Sequence, residues 1–157
     1  MGSEQLVPGY NLRVGTDKER ALLVKFMYQT YQELFPEQKD FGHLNQTVEK
    51  YFSSTTPLWF VQPINEEAIT PVGCLWFGNT IDQIKGDRHS HIFLLYVSPQ
   101  YRHQGIGSSL MNYAHSWATS RGDRQISLQV FPGNQVALSF YQHLGYQTNS
   151  LQMVKTL

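Results

Sequence analysis

Cysteine is almost missing from this chain. Cys74 is the only one in 157 residues, which excludes an internal disulfide and a zinc site built from thiolates. There is no excess of either charge, since 12 Lys and Arg face 12 Asp and Glu. A nucleic-acid or anionic-membrane surface would need a basic surplus, so neither partner is expected. No apolar run approaches the roughly 18 residues of a membrane-spanning helix. His, Asp and Glu are not clustered at ligand spacing, and no metal is expected. The start, Met1-Gly-Ser-Glu-Gln-Leu6, has no basic segment or apolar stretch of a secretory signal. Leu6 also breaks the myristoylation pattern, so a cytoplasmic location is expected.

Two nucleotide loops and one hydrolase elbow are missing as well. There is no G-x-x-x-x-G-K-[ST], and Leu110 stands where G-x-G-x-x-G needs its third glycine. G-x-S-x-G is also lacking. What is present is a chain with 41% hydrophobic and 13% aromatic residues, enough to fill the core of one domain over residues 1–157.

Periodicity supplies the elements. Asn11–Val14 reads as a strand, and Thr16 or Asp17 can cap a helix that Pro36 stops. Leu44, Val48, Tyr51 and Phe52 mark a second helix. Leu58–Val61 and Val72–Phe77 read as strands joined by a polar turn, Pro63–Pro71. Gly78–Ser90 reads as a polar connection with a hairpin tip at Lys85-Gly86-Asp87. His91–Val97 is a strand rich in β-formers, and Ile106, Leu110, Ala114, Trp117 and Ala118 recur at helical spacing up to Gly122. A strand over Ile126–Phe131, a helix over Asn134–Leu144 and a last strand near Leu151–Val154 complete the order β-α-α-β-β-β-α-β-α-β. That order argues for a single α+β domain with a mixed sheet and helices on its faces. Cys74, in the apolar run Val72–Phe77, reads as a small buried hydrophobe.

The junction between the His91–Val97 strand and the helix after it carries the chemistry. A helix leaves its first N–H groups unpaired at the positive end of its dipole. Gly105 and Gly107 remove the Cβ atoms that would hold a phosphate away from those groups. Such a pair alone is also explained by capping and tight packing. A second stretch, Asn134-Gln-Val-Ala137-Leu-Ser-Phe140-Tyr141-Gln-His-Leu144-Gly145-Tyr146, changes the balance.

Together the two stretches resemble the GNAT superfamily of acyl-CoA-dependent N-acyltransferases. That family's phosphate loop, Arg/Gln-x-x-Gly-x-Gly/Ala, is matched by Arg102, Gly105 and Gly107. Its second motif, Asn-x-x-Ala-x-x-x-Tyr-x-x-x-Gly-Phe/Tyr, is matched by Asn134, Ala137, Tyr141, Gly145 and Tyr146. The resemblance is close over residues 91–157. It implies that two parallel strands, His91–Val97 and Ile126–Phe131, splay apart to admit acetyl-CoA. It also implies cofactor contacts at Arg102, His103, Gln104, Gly105, Ile106, Gly107, Ser108 and Asn134, with backbone pairing along Leu95, Tyr96 and Val97. The Val97 N–H would polarise the thioester oxygen. The Asn134 side chain has an equal explanation as a helix cap.

For the departing thiolate the resemblance offers Tyr141 as general acid, since a phenol of pKa ~10 keeps its proton at pH 7. The plain reading of Tyr141 is a core aromatic. For the amine, His91 stands where some members carry a glutamate, with His89 and Tyr96 as rivals. By simple alternation His91 shares a strand face with Phe93, Leu95 and Val97. Ribosomal-protein alanine N-acetyltransferases have a similar layout but carry Leu-Glu-Val where this chain has Leu128-Gln129-Val130, and Gln129 is no base. Acceptor contacts are expected from the first two helices and their connection, through Tyr28, Tyr31, Glu33, Phe35, Glu37, Asp40 and Phe41. Aromatics interleaved with acids suit a small cationic amine or a peptide amine. The resemblance leaves room for a homodimer and for a non-catalytic acyl-CoA sensor of the same fold.

Overall fold

The computed structural model describes residues 4–64 and 70–157. The chain's first three residues and most of the expected Pro63–Pro71 turn lie outside them. Six strands form one sheet in the order β1-β2-β3-β4-β5-β6: β1 (Glu4–Val7), β2 (Tyr10–Val14), β3 (Leu58–Pro63), β4 (Gly73–Ile81), β5 (Arg88–Val97) and β6 (Ile126–Ser127). Every neighbouring pair is antiparallel except β5 and β6, which run parallel. The sheet is therefore mixed, as expected. Among the described residues no helix is long and apolar enough to cross a membrane.

Helices cover both faces. On one side α1 (Arg20–Leu34) and α2 (His43–Tyr51) bury Leu23, Phe26, Met27, Leu44 and Val48 against Phe60, Trp76, Leu94 and Tyr96. On the other, α3 (Ile106–Ser120) buries Ile106, Leu110, Met111 and Ala114 against Trp59, Leu75, Phe77 and Ile92. The last helix, α4 (Gln135–His143), lays Phe140 and Tyr141 on this second core. Each helix presents its apolar residues at the 3.6-residue period, so one stripe meets the sheet. Thr16 and Glu19 form the capping box ahead of α1, which answers the expected start.

Three sequence expectations need correction. First, β4 and β5 meet in a longer hairpin than expected, and residues 78–81 and 88–90 are strand rather than connection. Their polar side chains disguised them: Asn79, Thr80 and Arg88 lie towards the hairpin's solvent end. Second, β6 is only Ile126–Ser127, and residues 128–131 leave β5 without pairing. Third, no strand forms near Leu151–Val154. That stretch is exposed and irregular, since strand-like composition alone does not make a strand.

A β-bulge in β5 is the feature that alternation counting could not foresee. Leu94 faces Trp76 and Ile92 faces Phe77, so Phe93 has no partner on β4. Phe93 and Leu94 both pack on the α1/α2 side, while Ile92, Leu95 and Val97 pack on the α3 side. Gly78 makes room for the bulge, since a Cβ there would strike the Phe93 ring.

Candidate active site

The glycine loop ends β5 and starts α3. Gly105 is the residue before the helix, with φ of 85°, a left-handed conformation that costs a residue with a Cβ about 1–2 kcal/mol. No side chain caps this helix, and its first internal bond runs from Ser109 N–H to the Gly105 carbonyl at 3.0 Å. The N–H groups of Ile106, Gly107 and Ser108 precede that bond and have no intrahelical acceptor. His103 and Gln104 are exposed beside them. Tyr10 on β2 steadies the loop by donating its hydroxyl to Gln104 Oε1 at 3.1 Å. The loop therefore presents a ring of backbone donors to an anion.

The expected splay follows from the pairing. β5 and β6 touch only at Ser90 with Ile126 and His91 with Ser127. From there towards Val97 the β6 side of β5 has no partner strand. Ser98 donates its N–H to the Val72 carbonyl at 2.7 Å, towards β4. By alternation the Leu95 and Val97 N–H groups point the other way, into the gap. A free backbone edge thus runs from the loop towards the closed end of the splay. The six steps from Val97 to His91 span about 20 Å at strand rise. Tyr96 sends its side chain into the α1 core, stacked on Phe26 with ring centres 5.1 Å apart, so only its backbone borders the gap.

His91 lies at the closed end. Its Nδ1 stands 2.8 Å from Ser127 Oγ, and His89 Nε2 stands 3.1 Å from the same oxygen. Its ring meets Phe93 edge to face at 5.6 Å. The expectation that His91 shares a face with Leu95 and Val97 is wrong: the bulge leaves it on the α1/α2 side, with Phe93, Leu94 and Tyr96. Burial, with repulsion from His89 added, lowers the His91 pKa below its ordinary value. For the rival Tyr96, burial and then the Glu33 charge raise the phenol pKa.

Tyr141 lies on the other side, packed on the α3 core between Phe140 and Tyr146 at ring distances of 5.1 and 5.7 Å. Burial pushes its pKa up to about 12. Its hydroxyl forms no hydrogen bond with a described residue, whereas the neighbouring Tyr146 hydroxyl is held by His115 Nε2 at 2.9 Å. His91 and Tyr141 thus flank the splay from opposite faces of the sheet.

Arg102 has partners that the sequence did not reveal, and Asn134 takes the capping role that the sequence offered. Arg102 donates from Nε to the Val97 carbonyl at 2.7 Å and grips Glu33 of α1 with two further bonds, 3.0 and 2.7 Å long. Asn134 accepts the Ala137 N–H at 3.2 Å and caps α4. Phe131, beyond β6, meets Phe35 and Tyr31 at 5.2 and 6.5 Å. The end of α1 therefore braces both arms of the splay, Glu33 on the β5 side and Tyr31 with Phe35 on the other. Tyr28 and Phe41 pack edge to face at 5.3 Å between the helices, and Asp40 is turned onto the Gly42 N–H. Glu37 is exposed. Ser127 and Phe131 were missed in the sequence; inward-facing Ser127 beside the His89-x-His91 alternation was the signal available.

The model of the acetyltransferase (GNAT) family matches residues 24–146. An uncharacterised N-acetyltransferase of Methanocaldococcus jannaschii is 33% identical over 104 residues, covering 63% of this chain and 45% of that protein. The thialysine N-epsilon-acetyltransferase of Mus musculus is 37% identical over 60 residues, covering 38% of this chain and 35% of its own. The matched part of this chain thus spans less than half the length of these relatives. The structure of a possible acetyltransferase from Clostridium difficile 630 superposes with a TM-score of 0.74 at 17% identity, covering 94% of this chain and 97% of that one. With a family model spanning both motifs, the loop and the α4 segment, the chain belongs to the GNAT family of acetyltransferases.

Proposed function

We propose that this protein transfers an acetyl group from acetyl-CoA to a small primary amine. The observation that carries this reading is the continuous row of free backbone donors, from the Ile106–Ser108 amides to the Leu95 and Val97 N–H groups. Acetyl-CoA supplies an activated acyl group on a good leaving thiol, tethered to a pyrophosphate. Backbone amides at 104–108 suit the pyrophosphate, and the Leu95–Val97 edge suits the amides of the pantetheine arm as an added strand. In that register the reactive end points towards His91 and Ser127. Arg102 supports the loop through the Val97 carbonyl, with its charge balanced by Glu33.

The amine must lose its proton before it can attack. At pH 7 a lysine-like amine of pKa ~10.4 is neutral in about one molecule in 2,500, a handicap of about 4–5 kcal/mol. His91 on the α1/α2 side takes that proton. The amine nitrogen then bonds to the acetyl carbon as the carbon–sulfur bond breaks. Tyr141, on the opposite face, gives its phenolic proton to the thiolate and is restored by the second proton leaving the nitrogen. A base on the entry side and an acid on the exit side match a displacement that passes through the sheet.

For the acceptor, Tyr31, Phe35 and Phe131 provide aromatic surface at the mouth. Glu33 is already neutralised by Arg102, which leaves cation–π contact and exposed Glu37 to favour an alkylammonium. The thialysine acetyltransferase among the relatives supports a small amine over a protein tail. Thiol release from acetyl-CoA, followed across polyamines, amino acids, aminoglycosides and short peptides, tests the reading. Amine-dependent release matched by acetylated product supports it. CoA binding without release would instead make the protein an acyl-CoA sensor.

A further inference from the structure

Ser127 has one hydroxyl proton, yet two imidazole nitrogens face its oxygen, His91 Nδ1 at 2.8 Å and His89 Nε2 at 3.1 Å. On the far side, His89 Nδ1 lies 3.2 Å from Gln125 Nε2. A hydroxyl can give its proton to one ring only, so the other ring must donate to the oxygen. When both rings are neutral and the Ser127 proton stays between them, this leaves two arrangements. In the first, the Gln125 amide donates to His89 Nδ1, His89 Nε2–H donates to Ser127, and Ser127 donates to His91 Nδ1. His91 then carries its proton on Nε2. In the second every bond is reversed. His91 Nδ1–H donates to Ser127, Ser127 donates to His89 Nε2, and His89 Nδ1–H donates to the Gln125 carbonyl oxygen after a flip of the amide. His91 Nε2 is then a bare lone pair.

We infer that Ser127 and His89 are positioning residues that set the tautomer of His91, switching together so that both imidazoles always carry their protons on the same-named nitrogen. The inference rests on the acetyl-transfer reading, in which His91 receives the amine's proton. Only the second arrangement leaves His91 a lone pair on the nitrogen not already bound to Ser127. An ammonium at the site offers N–H donors and selects that arrangement by hydrogen bonding to Nε2. The N–H bond breaks, an Nε2–H bond forms, and the positive charge stays on half-buried His91, whose Nδ1–H remains on Ser127. The proton thus comes to rest on His91, which later releases it to solvent. Among the described residues, no charged side chain hydrogen-bonds to His89, His91 or Ser127. The nearby ion cluster of Arg88, Arg121 and Asp123 is bound to Ser90, whose side chain lies on the opposite face of β5.

Side-chain nitrogen NMR of the whole protein, at a pH where both rings are neutral, reads each tautomer directly. Wild type should show matched tautomers for His89 and His91. Ser127→Ala should unmatch them, and Ser127→Thr, which keeps the hydroxyl, should restore the match. In turnover, Ser127→Ala should lower kcat/KM by about 10–100-fold, the usual effect of losing a partner that orients a working imidazole, while acetyl-CoA affinity is unchanged. Mismatched tautomers in wild type, or a match that survives in Ser127→Ala, would overturn the inference. Matched tautomers in a protein that transfers no acetyl group would leave the chain standing and remove the acetyl-transfer reading instead.

Discussion

Tyr141→Phe removes one oxygen and nothing else, which makes its expected effect unusually separable. The hydroxyl has no hydrogen-bonding partner among the described residues, and the ring keeps its contacts with Phe140 and Tyr146. Deleting a poorly satisfied hydroxyl from a mostly apolar setting should leave thermal stability unchanged within about 1 kcal/mol. Acetyl-CoA binding should also be unchanged, because the backbone donors of the loop and β5 edge are untouched. Turnover should fall by about 10²–10⁴, the usual worth of a positioned acid, or about 2.7–5.4 kcal/mol of barrier. The raised pKa adds a second signature. With Tyr141 pushed up to about 12, the acid holds its proton across the working range, so wild-type kcat should show no decline assignable to it below pH 11. The assay is thiol release with saturating acetyl-CoA and amine from pH 6 to 10.5, beside calorimetric CoA binding. A variant that keeps most of its kcat would return Tyr141 to the role of core aromatic.

Three further outcomes follow from the same geometry. Gly107→Val should fold, because a Cβ there would sit at an ordinary 3.5 Å from the Phe140 ring. Its branched methyls crowd the amides, however, so calorimetry should find CoA binding lost. The rate at low amine concentration should rise with pH through a value below 6.5, since His91 is lowered by burial and its charged form on the acid side cannot accept a proton. His91→Ala should lose the neutral plateau and recover at high pH as the amine deprotonates itself; an unchanged profile would remove His91 as base. The Asp123 side chain is about 1% exposed and paired with Arg121 at 2.7 Å, so Asp123→Asn should cost about 3–5 kcal/mol, near 10 °C of Tm in a domain of this size. Burial alone would raise the Asp123 pKa, but bonds from Arg121 and Ser90 outweigh it and the pKa is lowered. Its contribution is therefore present above pH ~4 and lost as pH falls through the folded value, which acid-unfolding curves of wild type and variant would check.

The parts of this site that lie close in sequence were legible in it. The Arg102–Ser108 loop and its helix announce themselves through glycine placement and a 3.6-residue apolar period, and Tyr141 through its spacing from Asn134 and Gly145. What escaped depended on partners distant in the chain. Nothing near Arg102 signals Glu33, which holds it 69 residues away. The bulge at Phe93 arises from how β5 registers on β4, and one extra residue turned Leu95 and Val97 away from His91's face. Leu151–Val154 has strand-like composition, but composition alone does not bring it onto the open edge of β6. The polar ends of β4 and β5 were hidden for the opposite reason: their backbone pairs fully although their side chains are mostly polar, exposed at Asn79 and Arg88 and buried at His89 and Ser90.

The proposed function puts acetyl-CoA on the 104–108 amides and along the β5 edge. Backbone amide NMR during a CoA titration tests it most directly. Shifts concentrated at Gly105 to Ser108, Leu95 and Val97 are expected, with the Tyr96 N–H, bonded towards β4, moving less. Shifts centred elsewhere, such as between α1 and α2, or none at all, would contradict the account.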